Sequence, residues 1–387
     1  MARRLNWHFD FFIRAYLRAR QRFPFEGFGP VISLRSSVSC LAALGLALSA
    51  SPILASSDMV AGTDVLRTWN LVVLGDLTSS SEVEGRTFVG GNLDGNASNY
   101  QISPTVDSGT GTPGLTVVGD VNGGYKNLNN GSGAVVGGNV NSGLNLNGNP
   151  QTVLVGGSIS NTNVNNNTVT SGLAASDPGF VQNLTQQKSL IETSMGNLSY
   201  SLSTMDSNST LSINGNRGTF NAQPGADGVA VFNITSADLD KIGEIQFNLN
   251  GADTAIVNVS GPSIRLDDNF LGGTNNLGEN VIWNFPDAEN LSLTTAWGGS
   301  VLAPKADAQT YNYIQGSAVF GNLKQDGEMH VGTYNGGYNP PSNPNPPTGS
   351  SSSSSGGTAV PEPGMMGLFG LAVLSLVFWR RRKVAQA

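Results

Sequence analysis

The 387-residue chain is poor in the residues that usually carry chemistry: one cysteine, two histidines and 12% charged side chains. The cysteine, Cys40, lies in an apolar run near the N-terminus, and the local string Arg35-Ser36-Ser37-Val38-Ser39-Cys40 does not match the pattern that precedes a lipid-bearing cysteine. A mature chain without its first 55 residues would hold no cysteine, which excludes disulfides and thiol nucleophiles. It would hold one histidine, His330 in GEMHVG. A lone His beside a strand reads as a structural or solvent residue. Zinc sites and Ser-His or Cys-His nucleophile systems therefore lack parts. No catalytic residue, metal ligand or cofactor is assigned.

Positive charge is missing from the middle of the chain. The seven Arg (3, 4, 14, 18, 20, 22, 35) before position 56 stand against Asp10 and Glu26, and Arg380, Arg381, Arg382 and Lys383 at the end stand against Glu362. Taking these from the 20 basic and 27 acidic residues leaves 9 and 24 in the body, a net charge of −15. Such a body repels nucleic acid and anionic lipid. What is abundant is glycine, 50 residues, together with asparagine. Both suit tight turns, so many short strands are expected rather than a helical bundle.

The ends read as targeting segments. Residues 38–50, VSCLAALGLALSA, follow Arg35 and have the length of a signal-peptide core, with the small-residue stretch ASPILASS behind it. Cleavage is expected after Ala55, with Ser57 as the alternative. The run is too short for a comfortable membrane span. The 35 residues before it are basic and aromatic, and fit either an extended signal or an early start codon. At the other end, 338–360 form a Pro/Ser/Gly-rich stretch, expected to be an extended, disordered linker. Pro361, Glu362 and Pro363 follow, then an apolar run from Met365 to Trp379 and the cluster Arg380-Arg381-Arg382-Lys383. The run predicts a short transmembrane helix whose basic end stays cytoplasmic.

The order Val-Pro-Glu-Pro, short apolar helix and terminal Arg cluster resembles the PEP-CTERM sorting signal of Gram-negative bacteria. The resemblance implies that a membrane-embedded exosortase recognises Pro361-Glu362-Pro363 and removes the tail. It further implies a host with two membranes that makes extracellular polysaccharide.

In the body, apolar runs end repeatedly in a glycine turn followed by one more apolar residue: LVVLGDL (71–77), TFVGGNL (87–93), LTVVGDV (115–121), AVVGGNV (134–140) and VLVGGSI (153–159). The last three start 19 residues apart, as stacked coils of a β-solenoid would; a β-sandwich with regular hairpins is the alternative. At 177–206 the pattern breaks. Asp177 can cap a helix and Pro178 open it. Phe180, Leu184, Ile191, Met195, Leu198, Leu202 and Met205 then form one apolar stripe, predicting a helix at about 178–205. Strands resume at VAVFNIT (229–235), and runs starting at Val281, Val301 and Val319 are 20 and 18 residues apart.

Together with LVVLGDLTSSSEVEGRTFVGGNL and VIWNFPDAENLSL…WGGSVLAPKADA…IQGSAVFGNL, this layout resembles the choice-of-anchor A domain over about 68–335. That family takes its name from being carried by different C-terminal sorting signals. The same layout is similar to the bacterial ice-binding family, which implies a mainly β fold: a right-handed β-solenoid with one long flanking α-helix.

Three carboxylate pairs could serve a glycan-active enzyme: Asp267-Asp268, Asp238 with Asp240, and Asp287 with Glu289. All sit in contexts where Asp caps backbone. Calcium at an Asp/Asn turn suits a secreted β-protein, but no EF-hand or nonapeptide repeat is present. Trp69, Trp283 and Trp297 read as sugar platforms or as core residues. The Asn-rich strings at 139–149 and 159–169 read as an ice- or matrix-binding face or as Asn stacked at coil corners; regular Thr-x-Thr ranks are missing. The expected organisation is a signal peptide (1–55), a β-domain (56–337), a linker (338–360) and a sorting signal (361–387). The expected function is a non-enzymatic, adhesive cell-surface or extracellular-matrix protein. Its expected partners are the Sec translocon, an exosortase, and exopolysaccharide or a fibrous polymer.

Overall fold

A computed structural model describes residues 61–104 and 112–340. The signal peptide with Ala55, the sorting residues Pro361, Glu362, Pro363, Arg380, Arg381 and Arg382, and the expected C-terminal helix lie outside the described residues. The described chain is mainly β, with parallel sheets and four helices: α1 (Thr63–Thr68), α2 (Leu173–Ser176), α3 (Pro178–Ser203) and α4 (Ser236–Leu239). No helix among the described residues is long and apolar enough to cross a membrane.

The largest sheet has 15 strands. Its main path does not follow the chain. It runs from Thr168–Thr170 back through Thr152–Val155, Ala134–Val136, Leu115–Val117 and Thr87–Val89 to Leu71–Val73. The next neighbour is Ala318–Gln325, followed by Ser300–Thr310, Val281–Asn284, Thr254–Ser260 and Val229–Thr235. The chain thus starts in the middle, builds outward to one end, and resumes at the other end after α3. It then builds back until Leu71 pairs with Ala318. At 1.5 Å per residue the 26 residues of α3 span about 39 Å, enough to carry the chain along most of the stack.

Runs such as LVV are apolar throughout because these strands are buried on both faces. Leu71 and Val73 join the interior core. Val72 points the other way, into a second cluster with Ile191, Met195, Leu198 and Leu202 of α3. A second, seven-stranded sheet closes the interior on another side, with Lys126–Leu128 and Met329–His330 among its members. The third side is made by Leu77–Ser79, Leu93–Gly95, Asn290–Leu293 and Ser263–Leu266, extended by single bridges from Leu93 through Val121 and Val140 to Ile159.

The 19-residue spacing is a true register: Leu115 pairs with Ala134 and Ala134 with Val153. It is not general. Leu71 pairs with Thr87, only 16 residues on. The late runs need correction, because their first residues are not partners: Trp283 pairs with Val301 and Val301 with Ala318, spacings of 18 and 17. The helix ends at Ser203, two residues early, with Thr204 as its C-cap. There Thr204 Oγ1 bonds the carbonyl of Ser201 at 2.9 Å. Asp177 caps its other end through Gly179 N–H at 3.0 Å. A hairpin, Thr210–Asn214 with Arg217–Asn221, was not expected and is the one antiparallel pair among the described strands. Its two-residue turn, Gly215-Asn216, uses a positive φ at Gly215.

Candidate functional site

Of the three walls, the outer face of the largest is covered by α3. That leaves two outward polar faces as candidates for contact with a ligand. On the seven-stranded wall the inward residues Lys126, Leu128, Ser98 and Tyr100 are fully buried. Between them the outward residues align across strands: Asn145 with Asn127, Asn127 with Asn99, and Asn99 with Glu82. Asn145 Nδ2 donates to Asn127 Oδ1 at 2.7 Å, and Asn99 Nδ2 to Glu82 Oε1 at 3.1 Å. Further along the same wall Tyr313 stacks on His330, with centroids 4.3 Å apart and planes 10° apart. His330 Nε2 lies 2.7 Å from Glu328 Oε2. His330 is thus part of a surface cluster on this wall.

The third wall carries a similar row. Asn141 Nδ2 donates to Asn122 Oδ1 and Asn122 Nδ2 to Asp94 Oδ1, both at 2.8 Å. The register continues through Thr78, Lys324, Gln309, Ser292 and Arg265. Strand spacing sets the repeat of both rows at about 4.8 Å.

A ladder of acidic and amide side chains runs along the corner between the largest wall and the third. Asn322 Oδ1 accepts from Asp76 N–H at 2.9 Å, Asp76 Oδ1 from Asn92 N–H at 2.7 Å, and Asn92 Oδ1 from Asp120 N–H at 2.9 Å. Asp120 Oδ1 accepts from Asn139 N–H at 2.6 Å, and Asn139 Oδ1 from Ser158 N–H at 2.9 Å. Asn322 Nδ2 completes the row by donating to Asp307 Oδ1 at 2.7 Å. Along the stack the order is Asp307, Asn322, Asp76, Asn92, Asp120, Asn139, Ser158. Charged and neutral residues alternate, so like charges stand two strands, about 9.5 Å, apart, close to the screening length at physiological salt. The glycine that precedes every member except Asp307 now has a cause. A Cβ on Gly91 or Gly138 would overlap Oδ1 of Asp76 or Asp120.

The carboxylate pairs do not form a reaction centre. Asp238 is committed to the capping box of α4 and to Lys241, 2.8 Å away; these bonds hold its pKa down at about 2. Asp240 pairs with Arg265 at 2.9 Å. Asp287 and Glu289 are exposed. Asp267 is exposed while its neighbour Asp268 is fully buried, and neither oxygen of Asp268 has a hydrogen-bond partner. The expectation that Asp268 caps backbone is therefore corrected. Burial, reinforced by Asp267 and Asp240, pushes its pKa up to about 7. Among the described residues no three His, Cys, Asp or Glu converge to hold a metal ion.

The tryptophans are core residues: Trp69, Trp283 and Trp297 are each at most 1% exposed. Trp283 and Trp297 pack at 4.9 Å between centroids within a cluster that includes Phe220, Phe247 and Phe270. Trp283 Nε1 donates to the carbonyl of Gly298 at 3.0 Å. Lys126 is a buried cation that the sequence reading missed. Its Nζ donates to the carbonyls of Asn96 at 2.7 Å and Gly95 at 3.3 Å, closing a turn. Burial lowers its pKa to about 8, against the opposing pull of Asp94.

A family model described as "Putative Ice-binding-like adhesive domain" matches residues 62–331. A model of the PEP-CTERM protein-sorting motif matches residues 359–383, over the Pro361-Glu362-Pro363 string and the arginine cluster. Neither model carries the choice-of-anchor A name. No curated protein and no solved structure matches the chain. An adhesive domain followed by an exosortase-type sorting motif supports an exported surface protein. The family is adhesive and ice-binding-like rather than enzymatic. With most of its length inside that one model, the chain belongs to the ice-binding-like adhesive domain family.

Proposed function

We propose that this is a structural or adhesive protein of the cell surface or extracellular matrix. Its ligand is an extended polymer, exopolysaccharide or a fibrous protein, held against the two uncovered walls. In this reading the three walls are the sides of a right-handed β-solenoid, with α3 laid along one of them. The chain enters the Sec translocon by its N-terminal signal, contacts the inner membrane transiently through the C-terminal helix, and is released from it by an exosortase.

The observation that carries the reading is the row Asn145, Asn127, Asn99 and Glu82, four outward polar side chains in strand-to-strand register. A repeat of about 4.8 Å offers a polymer many equivalent weak contacts, and multivalency turns these into retention.

The test is retention of the protein on the exopolysaccharide of its own host. Replacing Asn99, Asn127 and Asn145 together by Ala is expected to reduce retention. Replacing Asn122 and Asn141 tests the other wall. No retention by the unaltered protein removes the adhesive reading. Ice binding is the second reading, favoured by the family description; thermal hysteresis in the same preparations would promote it. Release of reducing sugar, abolished by Asp267→Asn, would establish a glycan-active enzyme instead.

A further inference from the structure

The two ends of the strand stack are finished differently. At the Val229–Thr235 end the chain covers its own edge. Asn208 Oδ1 accepts from Val231 N–H at 2.7 Å, and Asn208 Nδ2 donates to the carbonyl of Val229 at 2.9 Å. The backbone N–H groups of Asn208 and Ser209 also bond the carbonyl of Val231. At the other end the three walls finish at Leu144–Leu146, at Ile159 and at Thr168–Thr170. Thr168 N–H bonds back to the carbonyl of Gln151. In a parallel strand this turns both backbone groups of Val169 toward the free edge.

The interior is also open there. Leu128, Val140 and Val153 are fully buried, whereas their partners at this end, Leu146, Ile159 and Val169, are only partly buried. Val164, on the loop before Thr168, is 44% exposed.

Exposed edges in monomeric β-proteins are usually blunted by Lys, Pro or inward-pointing charge. Among the described residues none of these guards Thr168–Thr170. No charged residue occurs between Lys126 and Asp177, although the body as a whole is strongly acidic. This is the longest stretch of the body without charge, and two copies can meet along it without like-charge repulsion.

We propose that this end is a self-association surface, through which two copies of the chain join end to end. A two-fold axis across the junction sets the Thr168–Thr170 strand antiparallel to the same strand of the second copy. It satisfies the backbone groups of Val169 and covers Leu146, Ile159 and Val169 on both sides. The contact is isologous and therefore closes at two copies, with the acidic remainder of each body pointing away.

The experiment is sedimentation velocity of the full chain in a mild detergent, over a wide concentration series. The unaltered protein is expected to shift from monomer to dimer as concentration rises. Thr168 is exposed, and Thr168→Glu or Thr168→Lys places like charges at the junction; each variant alone is expected to stay monomeric. Mixing the two is expected to restore the dimer, a rescue that misfolded variants cannot give. Ser212→Glu, at the self-covered end, is expected to dimerise as the unaltered protein does. A monomer at every concentration, or a dimer indifferent to Thr168→Glu, overturns the proposal. Polymer retention by the Thr168 variants reports separately on the adhesive reading, because the retained walls lie elsewhere.

Discussion

Ser199 on α3 donates its hydroxyl to Asn284 Oδ1 at 2.6 Å, and Asn284 Nδ2 returns a bond to the carbonyl of Ser199 at 2.9 Å. Asn284 Nδ2 also donates to Asn258 Oδ1, and Asn258 Nδ2 reaches the carbonyl of Leu202 and Asn233 Oδ1. Asn233 Nδ2 ends the series on the carbonyl of Met205 at 2.9 Å. Three Asn on adjacent strands thus tie the carbonyls of Ser199, Leu202 and Met205, at and just beyond the end of the helix, to the sheet. Asn284→Ala leaves several buried groups without partners, each costing about 1–3 kcal/mol. We expect a loss of roughly 2–4 kcal/mol, read as a lower urea midpoint.

The apolar stripe of α3 makes a second prediction. Leu184 and Leu198 are 4% and 2% exposed, in separate clusters. Replacing either by Asp is expected to cost about 3 kcal/mol or more, through lost apolar burial and a buried charge. A small loss on thermal unfolding would mean that the helix is only peripheral to the fold.

Gly138 tests the corner ladder. Gly138→Ala is expected to cost about 1–3 kcal/mol, because the new methyl must displace Asp120 Oδ1 from the position where it accepts from Asn139 N–H. Ala at Gly196, which meets nothing within 4 Å on an α3 face away from the sheet, serves as the control and is expected to be neutral or stabilising.

Asp268 predicts a pH dependence. Its pKa is raised from 3.8 to about 7 in the folded chain, so between these values the folded state keeps a proton that the unfolded state releases. Stability from this group is complete below pH 3.8 and falls as pH rises to 7, by on the order of 4 kcal/mol. Asp238 acts in the opposite sense and lower down, losing its contribution as pH falls from 3.8 toward 2. Asp268→Asn is expected to flatten the fall between pH 4 and 7, measured by denaturant unfolding across that range.

The sorting motif predicts the product. Mass spectrometry of the extracellular fraction is expected to find peptides from 60–350 and none from 365–387. Recovery of an intact C-terminus there would rule out removal of the tail.

Elements whose cause is local were legible in the sequence. The α3 stripe and its Asp177-Pro178 start need only helical periodicity and capping, and the helix lies where those signals put it. Apolar runs ending in glycine turns announced short strands, and the structure adds that both their faces are buried. What was not legible depends on neighbours distant in the chain. The Gly-Asx repeat looked like turn chemistry, yet Gly75 and Asp76 are shaped by Asn322, 246 residues away. Asp268 and Lys126 carry no local mark of burial. The hairpin at 210–221 did carry a local signal, the Gly215-Asn216 turn, and was legible but missed.

The pairing of Leu71 with Ala318 has a kinetic consequence. The first strand laid down keeps one edge unpaired until almost the whole domain has been made. Long-range parallel pairing closes loops at high entropic cost and is slow. A chain built in this order stays unfinished until its last strands have been made. Its folding completes only when Ala318–Gln325 slots beside Leu71–Val73.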